Sequence, residues 1–242
     1  RALVYSRLAR RLRATGHADF TAYLDALEHD LPDAPEWQEF VNALTTNLTS
    51  FFREAHHFPI LTEHLRRPGA ARPQRIWCAA ASTGEEPYSI AITALETLGS
   101  AGAFEVLATD IDTRVLATAR AGIYPHEAAA RMDSARLHRH FLRGSGANEG
   151  LVRVRDGLRG RISFRPLNLL ALRWPMDTRF DAIFCRNVMI YFDRPTQQAV
   201  LRRLAAHLLP DGLLFAGHSE NFAHSADVVR LVGKTVYRLA PA

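Results

Sequence analysis

Apolar residues recur along the first quarter of the chain at helical spacing: Leu3, Leu8 and Leu12, then Phe20, Tyr23, Leu24 and Leu27, then Phe40, Val41, Leu44 and Leu48. Recurring intervals of three and four residues within these sets are helical, so the chain up to about residue 68 is expected to be all-helical. Asp33 ahead of Ala34 and Pro35 reads as a helix start, with proline at an early position where its missing N–H costs nothing. Two prolines and a glycine in RRPGAARPQ, residues 66–74, end this pattern. The expected domain boundary lies there, dividing the chain into 1–70 and 71–242.

Past that point the pattern changes to short, continuous apolar runs at 75–80, 104–109, 180–185 and 212–217, alternating with amphipathic helices near 86–98, 114–121 and 196–208. Such runs predict an α/β fold, a largely parallel sheet covered on both faces. The stretch 228–239 is expected to close the chain as an antiparallel strand pair or as a helix and a strand. Residues 143–161, RGSGANEGLVRVRDGLRGR, interrupt the alternation with glycines and charges around the run Leu151 to Val154. A small inserted antiparallel β-subdomain is expected there, and insertions of this kind often serve recognition.

With 242 residues, 48% hydrophobic and 23% charged, the chain is long and apolar enough for a substantial core. No apolar run approaches the roughly 20 residues of a membrane span, and no signal-peptide pattern follows Arg1. A cytoplasmic monomer without membrane insertion is expected, from a sequence that starts without Met. Cys78 and Cys185 stand far apart without CxxC spacing and read as buried thiols on strands. His56 and His57, and His138 and His140, lack further ligands at metal spacing, so no metal is expected.

The net charge is +5, with Lys234 the single lysine, and Arg1, Arg7, Arg10, Arg11 and Arg13 all precede the first acid, Asp19. This basic segment suits an acidic partner. It lacks the interleaved aromatics and reader motifs of nucleic-acid binding, which is not expected.

In an open α/β sheet, ligands bind beyond the carboxyl ends of the strands. After the first strand comes a small-residue turn, Ala81, Ser82, Thr83, Gly84, that enters a helix at Glu85, Glu86 and Pro87. After the second comes Asp110, placed to accept hydrogen bonds from ribose hydroxyls. The turn is not GxGxxG, and a pyrophosphate would meet two glutamates, so a cationic nucleoside such as S-adenosylmethionine fits better. Taken singly, Glu85 and Glu86 also read as helix N-terminal charges, and Asp110 as a helix cap.

The segments TNLTSFFR (46–53), CAAASTGEEPYSIA (78–91), ATDID (108–112), PLNLL (166–170), FDAIFCRNVMIYFD (180–193) and LLFAGHSENF (213–222) resemble, in order and across essentially the whole chain, the chemotaxis-receptor methyltransferase family CheR. The resemblance implies a Rossmann-like S-adenosylmethionine-dependent methyltransferase fold with an all-helical N-terminal domain and a small inserted β-subdomain. It implies methyl transfer to glutamate carboxylates of bacterial chemotaxis receptors, with S-adenosylhomocysteine as product. Matched residue by residue, the cofactor contacts fall on Asn47, Thr49, Arg53, Glu85, Asp110, Asn168, Leu169, Cys185 and Arg186, with no departure among them.

Within that frame Asp110 holds the ribose, Asn168 reads the adenine edge, Glu85 binds the ammonium, and Leu169, Cys185 and the residues near it supply backbone or apolar walls. Arg53 and Tyr191 are the expected catalytic residues, Arg53 orienting the incoming carboxylate and Tyr191 shaping the methyl path. Without the resemblance, Arg53 reads as a surface ion pair and Tyr191 as core packing. Arg7, Arg10, Arg11 and Arg13 are expected to dock the receptor's acidic cytoplasmic helices, and the inserted sheet to offer a place for a receptor tail peptide. The rival readings are a methyltransferase for small molecules or nucleic acid, and a non-catalytic module that binds S-adenosylmethionine or a second messenger. His218, Ser219 and Glu220 superficially suggest a hydrolase, but no GxSxG elbow precedes them.

Overall fold

The run FDAIFC is buried at all six positions, as a strand must be when helices cover both of its faces. It lies near the middle of a seven-stranded sheet in the computed structural model, which describes residues 2–31, 34–67 and 72–241. Four helices come first: α1 (Ala2–Thr15), α2 (Phe20–His29), α3 (Pro35–Leu44) and α4 (His57–Leu65). Then β1 (Gln74–Cys78), α5 (Glu85–Leu98), β2 (Phe104–Asp110) and α6 (Thr113–Ala121) begin the α/β unit.

A small excursion follows, with β3 (Ile123–Pro125), α7 (His126–Ala129), α8 (Ser134–His140), β4 (Phe141–Arg143), β5 (Leu151–Val154) and α9 (Asp156–Arg159). The chain returns through β6 (Ile162–Pro166), β7 (Phe180–Cys185), α10 (Arg194–Ala206), β8 (Leu208–Ala216), β9 (Val229–Gly233) and β10 (Val236–Leu239). The main sheet runs β6-β2-β1-β7-β8-β10-β9, parallel except where β10 pairs antiparallel with β8 and β9. Chain order reverses at β1, flanked by β2 and β7, so a crevice opens beyond the carboxyl end of β1.

Alternation along the strands splits the core in two. Ile76, Cys78, Ala182, Phe184 and Phe215 face α4 and α5, while Trp77, Ile183, Cys185 and Leu214 face α10. Cys78 and Cys185, on adjacent strands, therefore point to opposite faces and remain free thiols. Phe58, Leu61 and Leu65 of α4 belong to the same core cluster as the sheet, so α4 packs as part of the α/β layer.

The first three helices join the sheet through polar contacts at its carboxyl edge. From α3, Gln38 donates to the Ile111 carbonyl at 2.9 Å, and Asn42 both donates to Thr113 Oγ1 and accepts from its N–H at 3.1 Å. Proline occupies the first turn of α3 as expected, but the N-cap residue, Ala34, provides no side-chain cap. Asp33, expected as the start, lies outside the described residues.

The strand expectations and the three later helices hold, and the C-terminal stretch is the antiparallel pair; ahead of them α3 ends at Leu44, so Leu48 lies in a non-helical stretch, residues 45–56, and not on a helix face. The apolar runs did not disclose β6, whose last three positions are not buried. The small sheet is antiparallel, in the order β3-β5-β4, with β5 at the centre. It begins upstream of residue 143, because Ile123–Pro125, too short to show a period, supplies one edge.

Candidate functional site

A cleft of about 370 Å³ lies at the carboxyl ends of β1, β2 and β7, within the range of small-molecule sites. Four strand-end loops and the segment after α3 line it. The β1 turn comes close because its residues are small: Ala79 and Ala80 form the wall, and Ser82 adopts a left-handed backbone, φ 48°. Gly84, φ 102°, enters α5 where a Cβ would lie 2.7 Å from Tyr124 Oη and 2.8 Å from Ala119 Cβ. Only glycine fits there.

Asp110 lines the cleft, 9% exposed, and its two oxygens accept the N–H groups of Ser82 (2.8 Å) and Asp112 (2.9 Å). Burial raises its pKa, and the backbone donors counter part of that rise. Each oxygen keeps acceptor capacity for a ligand hydroxyl. The cap of α6 is Asp112, which accepts from Arg114 and Val115 N–H, so Asp110 is released from capping. Asp112 also accepts from Thr45 Oγ1 at 2.6 Å and Asn47 Nδ2 at 2.8 Å, tying the segment after α3 to the β2 end.

Asn168 turns its Oδ1 to the Leu170 N–H at 2.8 Å, an arrangement that leaves the amide nitrogen as a donor toward the cleft. Leu167 and Leu169 are nearly buried and form apolar wall with Ile111 and Val188. Asn47, Thr49, Arg53, Arg186 and Tyr191 complete the lining. Tyr191 is 61% exposed, so it is no core residue and stands at the mouth with Leu48 and Leu170.

The side chains of two expected contact residues lie outside the lining of the cleft. The Glu85 carboxylate does not line the cleft: it accepts from Thr83 Oγ1 at 2.6 Å, and its charge bears on Tyr124 of the small sheet. One residue on, about 100° around the helix, Glu86 does line it. The Cys185 side chain is likewise outside the lining, fully buried on the α10 face of the sheet, although its neighbour Arg186 reaches the cleft. Of the basic residues on α1, Arg7 donates to the Leu44 carbonyl at 2.6 Å and to Thr46. Arg11 forms a two-pronged pair with Glu36, whose other proton donor is Tyr23. Arg10 and Arg13 are exposed.

The sequence reading missed a buried charge cluster beneath the cleft. The Arg186 side chain, 1% exposed, donates to Glu86 at 2.6 Å and to the Arg53 carbonyl at 2.6 Å, and lies 3.4 Å from Glu54. Burial raises the Glu86 pKa against the pull of Arg186. Burial would also raise Glu54, but Arg186 and the His218 donors overcome it and bring it down to about 2. Glu54, His56 and His57 offer three donor atoms within 4.8 Å of one another, a grouping their spacing did not reveal. Arg186 already supplies the positive charge there.

Glu220 was also missed. It is buried, and its carboxylate accepts the N–H groups of Asn187, Val188, Met189 and Gly217, which fixes the loop that leads to Tyr191. In sequence Glu220 stood within the family segment LLFAGHSENF, where beside His218 and Ser219 it superficially suggested a hydrolase.

The polar donors and acceptors and the apolar walls of the cleft suit a nucleoside. Residues 47–238 match the family described as "CheR methyltransferase, SAM binding domain", and residues 1–45 match "CheR methyltransferase, all-alpha domain". A chemotaxis protein methyltransferase of Klebsiella aerogenes is 59% identical over 99% of this chain and 82% of its own length. One from Escherichia coli K12 is 57% identical over 99% of this chain and 83% of its own length. A chemotaxis protein methyltransferase 2 of Pseudomonas aeruginosa is 55% identical over 97% and 84%. Among the described residues, no helix is long and apolar enough to cross a membrane.

Proposed function

The chain belongs to the CheR methyltransferase family, and from that premise we propose that its acceptor is a glutamate carboxylate on the cytoplasmic helices of a chemotaxis receptor. It is an S-adenosylmethionine-dependent methyltransferase of chemotaxis. The observation that carries the acceptor assignment is Arg53 in the lining of a cleft that also holds the exposed Tyr191.

S-adenosylmethionine, when bound, supplies a methyl group on a cationic sulfonium that a carboxylate attacks, leaving S-adenosylhomocysteine. A glutamate carboxylate, with a pKa of about 4.3, is already ionised at neutral pH, so the protein need not remove a proton. Its work is to bind, align and exclude water. In this reading Asp110 holds the ribose hydroxyls and the Asn168 amide nitrogen reads the adenine edge. Leu167, Leu169 and Ile111 sandwich the base, and Asn47 and Thr49 close the cleft from the helical side. Glu86 lines the cleft with its charge already met by Arg186, and Glu85 would have to leave Thr83 to reach a cationic tail.

Arg53 orients the incoming carboxylate, and Tyr191 shapes the methyl path at the mouth. The exposed apolar rim of Leu48, Leu170 and Tyr191 suits a macromolecular acceptor better than a small one. Arg10 and Arg13 face solvent and are the α1 residues available to an acidic helix, Arg11 being engaged by Glu36. An edge of the small sheet, β3 or β4, accommodates a receptor tail peptide as an added strand. The chain divides into a helical unit and a catalytic unit, and the boundary expected near residue 70 lies ahead of α4, which packs in the core of the sheet.

Incubation of the protein with methyl-labelled S-adenosylmethionine and receptor cytoplasmic fragments tests the assignment. Label should enter the fragment and leave it in mild alkali, and Arg53→Ala should abolish most of the transfer while the protein stays folded. Alkali-stable label, or none on the receptor, refutes the glutamyl ester.

A further inference from the structure

Arg53 sits between two residues whose backbones are both left-handed, Phe52 at φ 53° and Glu54 at φ 55°. Neither is glycine, and backbone of this kind persists only where the surroundings over-determine it. Here they do. The Phe52 N–H donates to Ser89 Oγ of α5 at 2.9 Å, and the Arg53 carbonyl accepts from Arg186 at 2.6 Å. Glu54 Oε1 accepts from the His218 N–H at 3.2 Å, from His218 Nδ1 at 3.1 Å and from Asn187 Nδ2 at 3.5 Å. Its other oxygen lies 3.4 Å from Arg186. One carboxylate thus gathers the loops after β7 and β8 onto the loop that carries Arg53.

The Arg53 side chain itself is tethered at one nitrogen, Nη1 to the Leu48 carbonyl at 2.8 Å. A long guanidinium fixed at one point takes its aim from the backbone beneath it. That backbone is held by charge: Arg186, its side chain 1% exposed, lies between the carboxylates of Glu86 and Glu54. Such a buried guanidinium keeps its place only while paired.

We propose that Glu54 is a positioning residue for Arg53: its carboxylate, braced by Arg186, His218 and Asn187, locks the left-handed turn that points the Arg53 guanidinium at the acceptor. The proposal rests on the reading of Arg53 as the group that orients the incoming carboxylate. Glu54 itself is absent from the lining of the cleft, so its effect on the reaction passes through its neighbour. The cofactor half of the cleft, around Asp110 and Asn168, has no hydrogen bond to Glu54.

The test is a double-mutant cycle on the full chain, with labelled S-adenosylmethionine and receptor cytoplasmic fragments. Glu54→Gln keeps the size and removes the charge. It should lower kcat on the order of ten- to a hundredfold, since misplacement by about 1 Å costs that much. The affinity for S-adenosylhomocysteine should fall far less than kcat, because Asp110 and Asn168, which hold the nucleoside, share no hydrogen bond with Glu54. In an Arg53→Ala background the same Glu54→Gln change should cost less than about threefold, the mark of two residues that act as one unit. Glu54→Asp, which retains the charge, should recover part of the loss.

A Glu54→Gln enzyme with unchanged kcat overturns the proposal, and so does a Glu54→Gln defect that persists in full without Arg53. If Arg53→Ala is itself fully active, the reading of Arg53 is what has failed, and the Glu54 proposal falls with it. Should Glu54→Gln not yield folded protein, Glu54→Asp carries the same cycle, with the same coupling required.

Discussion

Replacing Glu220 by glutamine removes one charge and almost no volume, and the structure sets its cost. Glu220 is 5% exposed; Oε1 accepts the N–H groups of Val188 (2.9 Å) and Met189 (2.8 Å), and Oε2 those of Asn187 (3.0 Å) and Gly217 (2.5 Å). Glutamine has one acceptor oxygen and one donor group. Whichever way the amide lies, two of the four N–H groups lose their acceptor and face another donor. A hydrogen bond to a charged group is worth about 1.5–3 kcal/mol, so the expected loss is ~3–6 kcal/mol. That is a large part of the roughly 5–15 kcal/mol that holds a domain folded. The melting temperature should fall by on the order of 10 °C, at about 2–4 °C per kcal/mol for a chain of this size. Urea unfolding followed by far-ultraviolet circular dichroism, without added ligand, measures it. A loss below about 1 kcal/mol would falsify the claim that these bonds hold the loop between β7 and Tyr191.

Gly84→Ala should abolish cofactor binding or lower stability by about 2 kcal/mol or more, since the new methyl overlaps Tyr124 and Ala119 at a left-handed position; isothermal titration with S-adenosylhomocysteine and a thermal melt report it. Arg10→Ala with Arg13→Ala should weaken receptor-fragment binding, more so at low salt, and leave the melt unchanged. Arg11→Ala should instead cost about 1–2 kcal/mol of stability, because Glu36 loses its partner; identical behaviour of the two sets in binding and melting would contradict the division. Stability should also fall in acid. Burial, together with Arg186 and His56, takes His57 from 6.5 down to about 3, so between those values the unfolded chain binds a proton that the folded one refuses. Lowering the pH through that window costs up to ~1.4 kcal/mol per unit. Glu54, taken from 4.5 to about 2, loses its contribution between those two values as well. Urea midpoints that stay flat between pH 6.5 and 5 would count against a neutral buried His57.

The fold class was legible in the chain because the signal is periodic: helical spacing up to α3, then continuous apolar runs that only a two-sided parallel sheet can bury. It also located the cleft, since Ala79 to Gly84 and Asp110 follow strands, and ligand sites in such sheets lie at strand ends. Family resemblance added Asn47, Asn168, Arg53 and Tyr191, all of which line the cleft. What the sequence could not decide was direction. Glu85 and Glu86 are chemically alike, and only the start of α5 turns one toward Thr83 and the other toward the cleft and Arg186. Arg11 and Arg13 are equally basic, and only the packing of α1 on α3 gives Arg11 to Glu36 while Arg13 stays in solvent. Glu54 and Glu220 lie 166 residues apart in the chain, yet each holds Asn187. Contacts of that range leave no local period or motif, because the tertiary fold alone creates the neighbours that give a buried carboxylate its work.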